Sequence, residues 1–252
     1  MNETLLIQGD SLPLPRQTVP YEETWPGHLR NDARFAHIVN RSQSGKTTDD
    51  LRAEKVRFPG RKLELYSPDY VVLQIGIVDC APRLLSKNEK SLLTSVPFEF
   101  VSRASSYAIK QLRDRSRQRT YVSKTEFEAN LRDYLERAED VDVDQLVVLK
   151  ILTAGEKYIE KNPNVQQAIT EYNRILDAVA AEFDFVETLR PLADTDDEEA
   201  AIVDEYTLGD GYHLNGPGHG CVYERLINES ALGDQVTTTD SDTASDPSVA
   251  DD

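Results

Sequence analysis

Residues 69–76, Asp-Tyr-Val-Val-Leu-Gln-Ile-Gly, carry a run of apolar, β-branched side chains without the in–out alternation of a half-exposed strand. A strand of this kind is covered on both faces, and such strands belong to parallel sheets held between layers of helix. Four further segments read as strands: 3–9 (ETLLIQG), 34–42 (RFAHIVNRS), 145–155 (QLVVLKILTAG) and 183–187 (FDFVE). Helical segments separate them. Residues 45–55 open with Thr47 or Thr48 as a cap, followed by acids. Residues 98–119 read as an amphipathic helix. Residues 123–140 start with a Ser123–Glu126 capping box and align Phe127, Leu131 and Leu135 on one stripe. Residues 162–183 read as a helix capped by Asn162 with Pro163 in its first turn. Residues 216–230 read as a last helix after a glycine-rich entry. Strand–helix alternation with connections long enough for crossovers implies an α/β domain with a five-stranded parallel sheet and helices on both faces. Ligands of such sheets bind beyond the carboxyl ends of the strands. Gly9-Asp10-Ser11 and Gly76 fall there.

Charge narrows the partners. The 252 residues contain 45 Asp and Glu against 28 Lys and Arg, a net charge of −17. Residues 194–205 alone hold seven acids, and residues 234–252 hold six aspartates and no base. A field of this sign repels nucleic acid and anionic membranes. It suits a halophile-like surface, where salt screens self-repulsion. The tail has too little apolar content to fold, so the expected organisation is one domain over 1–232 and an acidic disordered tail over 233–252. Cys80 and Cys221 show no metal-ligand spacing. The N-terminus lacks a secretory pattern and no apolar run approaches a membrane span, so a cytoplasmic location without membrane insertion is expected.

The chemistry turns on Ser11. A serine hydroxyl needs a base within hydrogen-bond reach, and the base needs an orienting acceptor. The four histidines are His28, His37, His213 and His219. Asp210 stands three residues before His213, a spacing at which a tight turn brings the carboxylate to the imidazole. His28 and His37 read as packing or surface residues, His219 as structural or exposed, and Cys80 as a small buried side chain. The basic island 113–119 (RDRSRQR) reads as a solvated helix face.

Gly9-Asp10-Ser11-Leu12 after the first strand, together with Asp210-Gly211-Tyr212-His213-Leu214-Asn215 near the C-terminus, resembles the GDSL, or SGNH, hydrolase family over roughly residues 3–230. The resemblance implies the SGNH hydrolase fold, a flavodoxin-like three-layer α/β sandwich, and a serine esterase with Ser11, His213 and Asp210 as catalytic residues. It implies an oxyanion hole from the amides of Ser11 and Gly45, with Ser44 the less favoured equivalent of Gly45. The family's third block, G-x-N-D, reads here Gly76-Ile77-Val78-Asp79, so valine replaces the asparagine that donates to the oxyanion. Loss of one such donor costs about 10²–10³ in kcat. Asn40 and Gln74 are candidate substitutes. Asp10, Gly76 and Asp79 are expected to support the site loops. Gly9 is expected to let the chain turn sharply after the strand.

Both site loops continue into Pro-Arg, which makes Arg16 and Arg83 candidates for contact with an anionic substrate group such as a uronate or a nucleotide-sugar phosphate. The expected reaction is removal of a small O-acyl group, such as acetyl, from a small molecule or carbohydrate, with no cofactor and no metal. The alternatives are an O-acyltransferase acting on a sugar or polysaccharide, and a non-catalytic carbohydrate-binding descendant.

Overall fold

A computed structural model describes residues 3–31, 35–56, 62–82 and 119–234. Five strands, β1 (Thr4–Gly9), β2 (His37–Asn40), β3 (Tyr70–Gln74), β4 (Gln145–Leu149) and β5 (Val186–Leu189), form one sheet in the order β2-β1-β3-β4-β5. Every neighbouring pair is parallel. This is the expected five-stranded flavodoxin-like arrangement. β3 is buried along its whole length, as the apolar run Tyr70 to Leu73 requires, and Leu5, Leu6 and Ile7 of β1 have no exposed surface. The edge strands β2 and β5 are only partly covered.

The helices are α1 (Trp25–Asn31), α2 (Thr48–Val56), α3 (Lys62–Tyr66), α4 (Ile77–Cys80), α5 (Lys124–Asp140), α6 (Glu156–Lys161), α7 (Val165–Ala180), α8 (Asp196–Tyr206), α9 (Gly216–Glu229) and α10 (Ala231–Asp234). α5 packs against both α2 and α7, and α1 packs against α9. Ser123 caps α5 in the expected capping box with Glu126, and Phe127, Leu131 and Leu135 are fully buried.

Several boundaries differ from the sequence reading. β4 stops at Leu149 rather than running to residue 155. The chain beyond stays buried, but side chains satisfy its backbone in place of a neighbouring strand. Asn173 accepts from the Ile151 amide and donates to its carbonyl, both at 2.9 Å, and Glu199 accepts from Thr153. Asn162 does not open a long helix. It closes α6, its amide bonding to the carbonyls of Tyr158 and Ile159, and Asn164 precedes α7. β5 starts three residues later than expected and runs to Leu189, because Phe183 and Phe185 pack edge-to-face in the turn before it. The acidic stretch after residue 194 forms α8 behind a Thr195–Glu198 capping box, a start signal masked by the charge density. The expected helix over 98–119 falls outside the described residues, apart from Arg119. So do Arg83 and the tail beyond Asp234.

Candidate active site

Ser11 stands at the carboxyl end of β1, in the loop leading to α1. Gly9 is required for a different reason from the one expected. Its backbone is not left-handed; instead, a Cβ there would lie 2.6 Å from the Gln74 carbonyl oxygen and 2.8 Å from Pro13 Cγ. The close approach of β1, β3 and the folded-back loop excludes a side chain. Asp10 extends the pairing, its amide donating to Gln74 at 3.0 Å, while its Oδ1 accepts from the Leu12 amide at 3.0 Å. The Ser11 carbonyl accepts from the Leu14 amide and from Arg16 Nη2, each at 3.4 Å. The loop turns tightly over Ser11, whose residue surface is 9% exposed.

His213 arrives from the other end of the chain. Thr207 and Leu214 bridge in antiparallel fashion, and the intervening loop is folded by bonds from Leu208 to His213 and from Gly211 to Leu208. Asp210 organises this loop. Its Oδ1 accepts from the amides of Tyr212 and His213, each at 3.0 Å, and its Oδ2 lies 2.5 Å from His213 Nδ1. Burial pushes the Asp210 carboxyl up, but the hydrogen bonds from the His213 ring and the two amides outweigh it and hold the pKa below its ordinary value. An ionised carboxylate only accepts, so Nδ1 carries the proton and Nε2 is left with its lone pair. Nε2 lies 3.0 Å from Ser11 Oγ. Ser11, His213 and Asp210 therefore form one continuous relay, closed across a sequence separation of 202 residues. Asn215, directly beyond the loop, caps α9 by accepting from Gly218 and fixes the entry to the helix.

The second block, after β2, reaches the same edge. Gln43 donates to the Gly9 carbonyl at 2.9 Å, and Gly45 follows in an exposed turn with φ of 77°. The third block is α4 and its entry. Gly76, with φ of 133°, caps α4, and a Cβ there would collide with Ile151. Asp79 ties this block to the second one: its Oδ1 accepts from the Thr48 amide at 2.9 Å and from the Thr48 hydroxyl at 2.5 Å. Val78 is 8% exposed and packs into the core. Of the two candidate substitutes for the missing asparagine, only the side-chain carbonyl oxygens are engaged among the described residues, not the NH₂ groups that an oxyanion would need. Gln74 accepts from the Trp25 indole at 3.0 Å, with its Nε2 buried and unpartnered among the described residues, and Asn40 accepts from the Ser42 amide at 2.9 Å.

Burial raises two carboxyls in this region to about 7: Asp10, and Asp79, on which the Asp10 charge also acts. Each has one oxygen buried without a partner among the described residues, as has the Tyr212 hydroxyl. His219 is buried rather than exposed. It accepts from the Trp25 amide at 3.3 Å, and burial lowers its pKa to about 4. His28 stacks near Tyr223, and His37 lies exposed on the edge strand. Cys80 and Cys221 form no disulfide. No motif pointed to Lys46, whose buried ammonium donates to Gln8 at 3.0 Å, or to Trp25. A lysine beside a glycine in a polar loop carries no sequence signal for burial. Among the described residues no cluster of His, Cys, Asp and Glu could hold a metal ion, and no helix is long and apolar enough to cross a membrane. A cavity of about 570 Å³ lined by Thr4, Phe35 and His37 opens at the amino end of β1 and β2, away from Ser11.

Residues 8–221 match the model of the GDSL-like lipase/acylhydrolase family. No curated protein sequence matches this chain significantly. Among solved structures, TesA superposes with a TM-score of 0.55 at 18% identity, covering 89% of this chain and 96% of its own. LAE5, an α/β hydrolase enzyme from the metagenome of Lake Arreo, Spain, gives 0.56 at 19% identity, covering 89% and 93%. The acetylxylan esterase Axe2 from Geobacillus stearothermophilus gives 0.56 at 18% identity, covering 89% and 92%.

Proposed function

Because this chain belongs to the GDSL-like lipase/acylhydrolase family, we propose that it is a serine esterase in which Ser11, His213 and Asp210 act as nucleophile, base and orienter. The observation that carries this reading is the relay itself: Ser11 Oγ at 3.0 Å from a His213 Nε2 whose opposite nitrogen is held by Asp210. Ser11 Oγ attacks the ester carbonyl carbon as His213 Nε2 takes its proton. The oxyanion is bound by the amides of Ser11 and Gly45. As the tetrahedral adduct collapses, Nε2 returns the proton to the leaving alcohol. Water, deprotonated by the same nitrogen, then releases the acid and restores Ser11. The substrate is a small O-acyl ester, with acetyl on a carbohydrate the favoured case. The similarity to an acetylxylan esterase supports that choice.

The test is hydrolysis of p-nitrophenyl acetate in molar salt by wild type, Ser11→Ala and Val78→Asn. Wild-type turnover that vanishes in Ser11→Ala is expected. Val78→Asn is expected to gain about tenfold or more by restoring a donor. Wild type as inert as folded Ser11→Ala refutes the esterase reading.

A further inference from the structure

We infer that the ester taken by this site carries an anionic group, a carboxylate or a phosphate, and that the Arg16 guanidinium binds it; the inference rests on the esterase reading above. Arg16 lies five residues after Ser11 and donates from Nη2 to the Ser11 carbonyl at 3.4 Å. Its own backbone is locked by reciprocal bonds with Val19 at 2.8 and 3.0 Å, so the turn presenting it is fixed. The side chain is half-buried, and its Nε is buried with no acceptor among the described residues. Among the described residues Arg16 makes no ion pair. The other described arginines that are not exposed, Arg132, Arg137, Arg190 and Arg225, each meet a carboxylate. In so acidic a chain, a guanidinium beside the nucleophile has no carboxylate partner among the described residues.

The neighbours do not neutralise it. Asp10 feels the Arg16 charge but makes no hydrogen bond or ion pair with it, and burial holds that carboxyl at about 7, partly protonated near neutrality. His219, also within the field of Arg16, is kept uncharged by burial. A role as a loop tie to Ser11 uses one Nη2 proton in one long bond. It leaves Nε desolvated and the planar fork unengaged, and that fork matches the paired oxygens of a carboxylate or phosphate. An oxyanion on the substrate, meeting the Nη groups, supplies the missing charge.

The experiment compares kcat/KM for two matched pairs at the lowest salt at which the protein stays folded. One pair, 3-acetoxybenzoate and phenyl acetate, puts the charge on the alcohol side. The other, mono-4-nitrophenyl glutarate and 4-nitrophenyl pentanoate, puts it on the acyl side. Wild type is expected to favour the charged member of one pair by about tenfold or more. That ratio should collapse in Arg16→Gln and survive in part in Arg16→Lys, which keeps a point charge. A ratio near one for wild type in both pairs overturns the inference, as does a preference that persists in Arg16→Gln. Failure of the esterase reading looks different: none of the four esters turns over, and a fluorophosphonate leaves Ser11 unlabelled. Calorimetric titration with 3-hydroxybenzoate and with phenol then reads anion recognition without turnover. Selective 3-hydroxybenzoate binding lost in Arg16→Gln upholds the role of Arg16, and equal binding of both compounds refutes it.

Discussion

Replacing Asp210 with asparagine tests the relay at its least obvious joint. The carboxylate faces three donors: two backbone amides on Oδ1, each at 3.0 Å, and the imidazole Nδ1 on Oδ2 at 2.5 Å. Asparagine offers one acceptor and one donor to those same three groups. With its carbonyl on the amide side, its NH₂ faces Nδ1, so Nδ1 must accept and the ring proton moves to Nε2. Nε2 then has no lone pair for the Ser11 proton. The flipped rotamer keeps the productive tautomer but sets the NH₂ against two amide donors. An unsatisfied buried donor costs about 1–3 kcal/mol. Because the Asp210 side chain is 42% exposed, water offsets part of this, and a net bias of about 1–2 kcal/mol toward the unproductive rotamer is a fair discount. That bias alone removes about 10-fold. Loss of the charge that steadies the imidazolium takes the total to about 10³–10⁴ in kcat. The assay is the rate of covalent labelling of Ser11 by a fluorophosphonate, with p-nitrophenyl acetate turnover and a thermal melt beside it. A folded Asp210→Asn protein that labels within about tenfold of the wild-type rate would refute the reasoning, because the ring tautomer would then not depend on Asp210.

Two further outcomes follow from the same geometry. Gly9→Ala places a methyl group 2.6 Å from a backbone oxygen, and overpacking of that kind costs about 1–3 kcal/mol, so a fall in Tm of several degrees is expected; an unchanged melt would mean the strand end is looser than described. Stability should also fall as pH rises from about 6.5 through 7 and level off toward 8. Asp10 and Asp79 titrate near 7 when folded but near their ordinary, much lower value when unfolded, so the folded protein holds protons that the unfolded chain has lost, and this advantage disappears above 7. His219, held near 4, acts oppositely, adding stability as pH rises toward 6.5, but is silent above that range. Thermal melts of wild type and Asp79→Asn across this range check the sign. The variant should show a shallower fall, and a wild-type Tm that rises toward pH 8 would contradict it.

The sheet was legible in the sequence because burial on both faces writes itself directly into residue type: β3 is apolar from Tyr70 to Leu73, as a strand covered on both sides requires. Capping chemistry is equally local, so α5 begins where Ser123 and Glu126 say it does. The pairing of Asp210 with His213 was legible for the same reason, since three residues in a tight turn bring the two groups together. What sequence does not encode locally is how a buried backbone finds its partners. β4 ends at Leu149 because Asn173 and Glu199, both distant in sequence, satisfy the chain beyond it. Gly9 is required by the approach of Gln74 and Pro13 rather than by its own dihedral freedom. The burial of Lys46 and His219 also depends on which elements pack over them. The isolation of Arg16 belongs to the same class. Its Pro-Arg context marked it as a candidate, but whether a carboxylate stood beside it was a question of three-dimensional neighbours. Sequence decides which groups are available and which local turns they favour. Tertiary packing decides which of them are desolvated, which are partnered, and which are left open to a ligand.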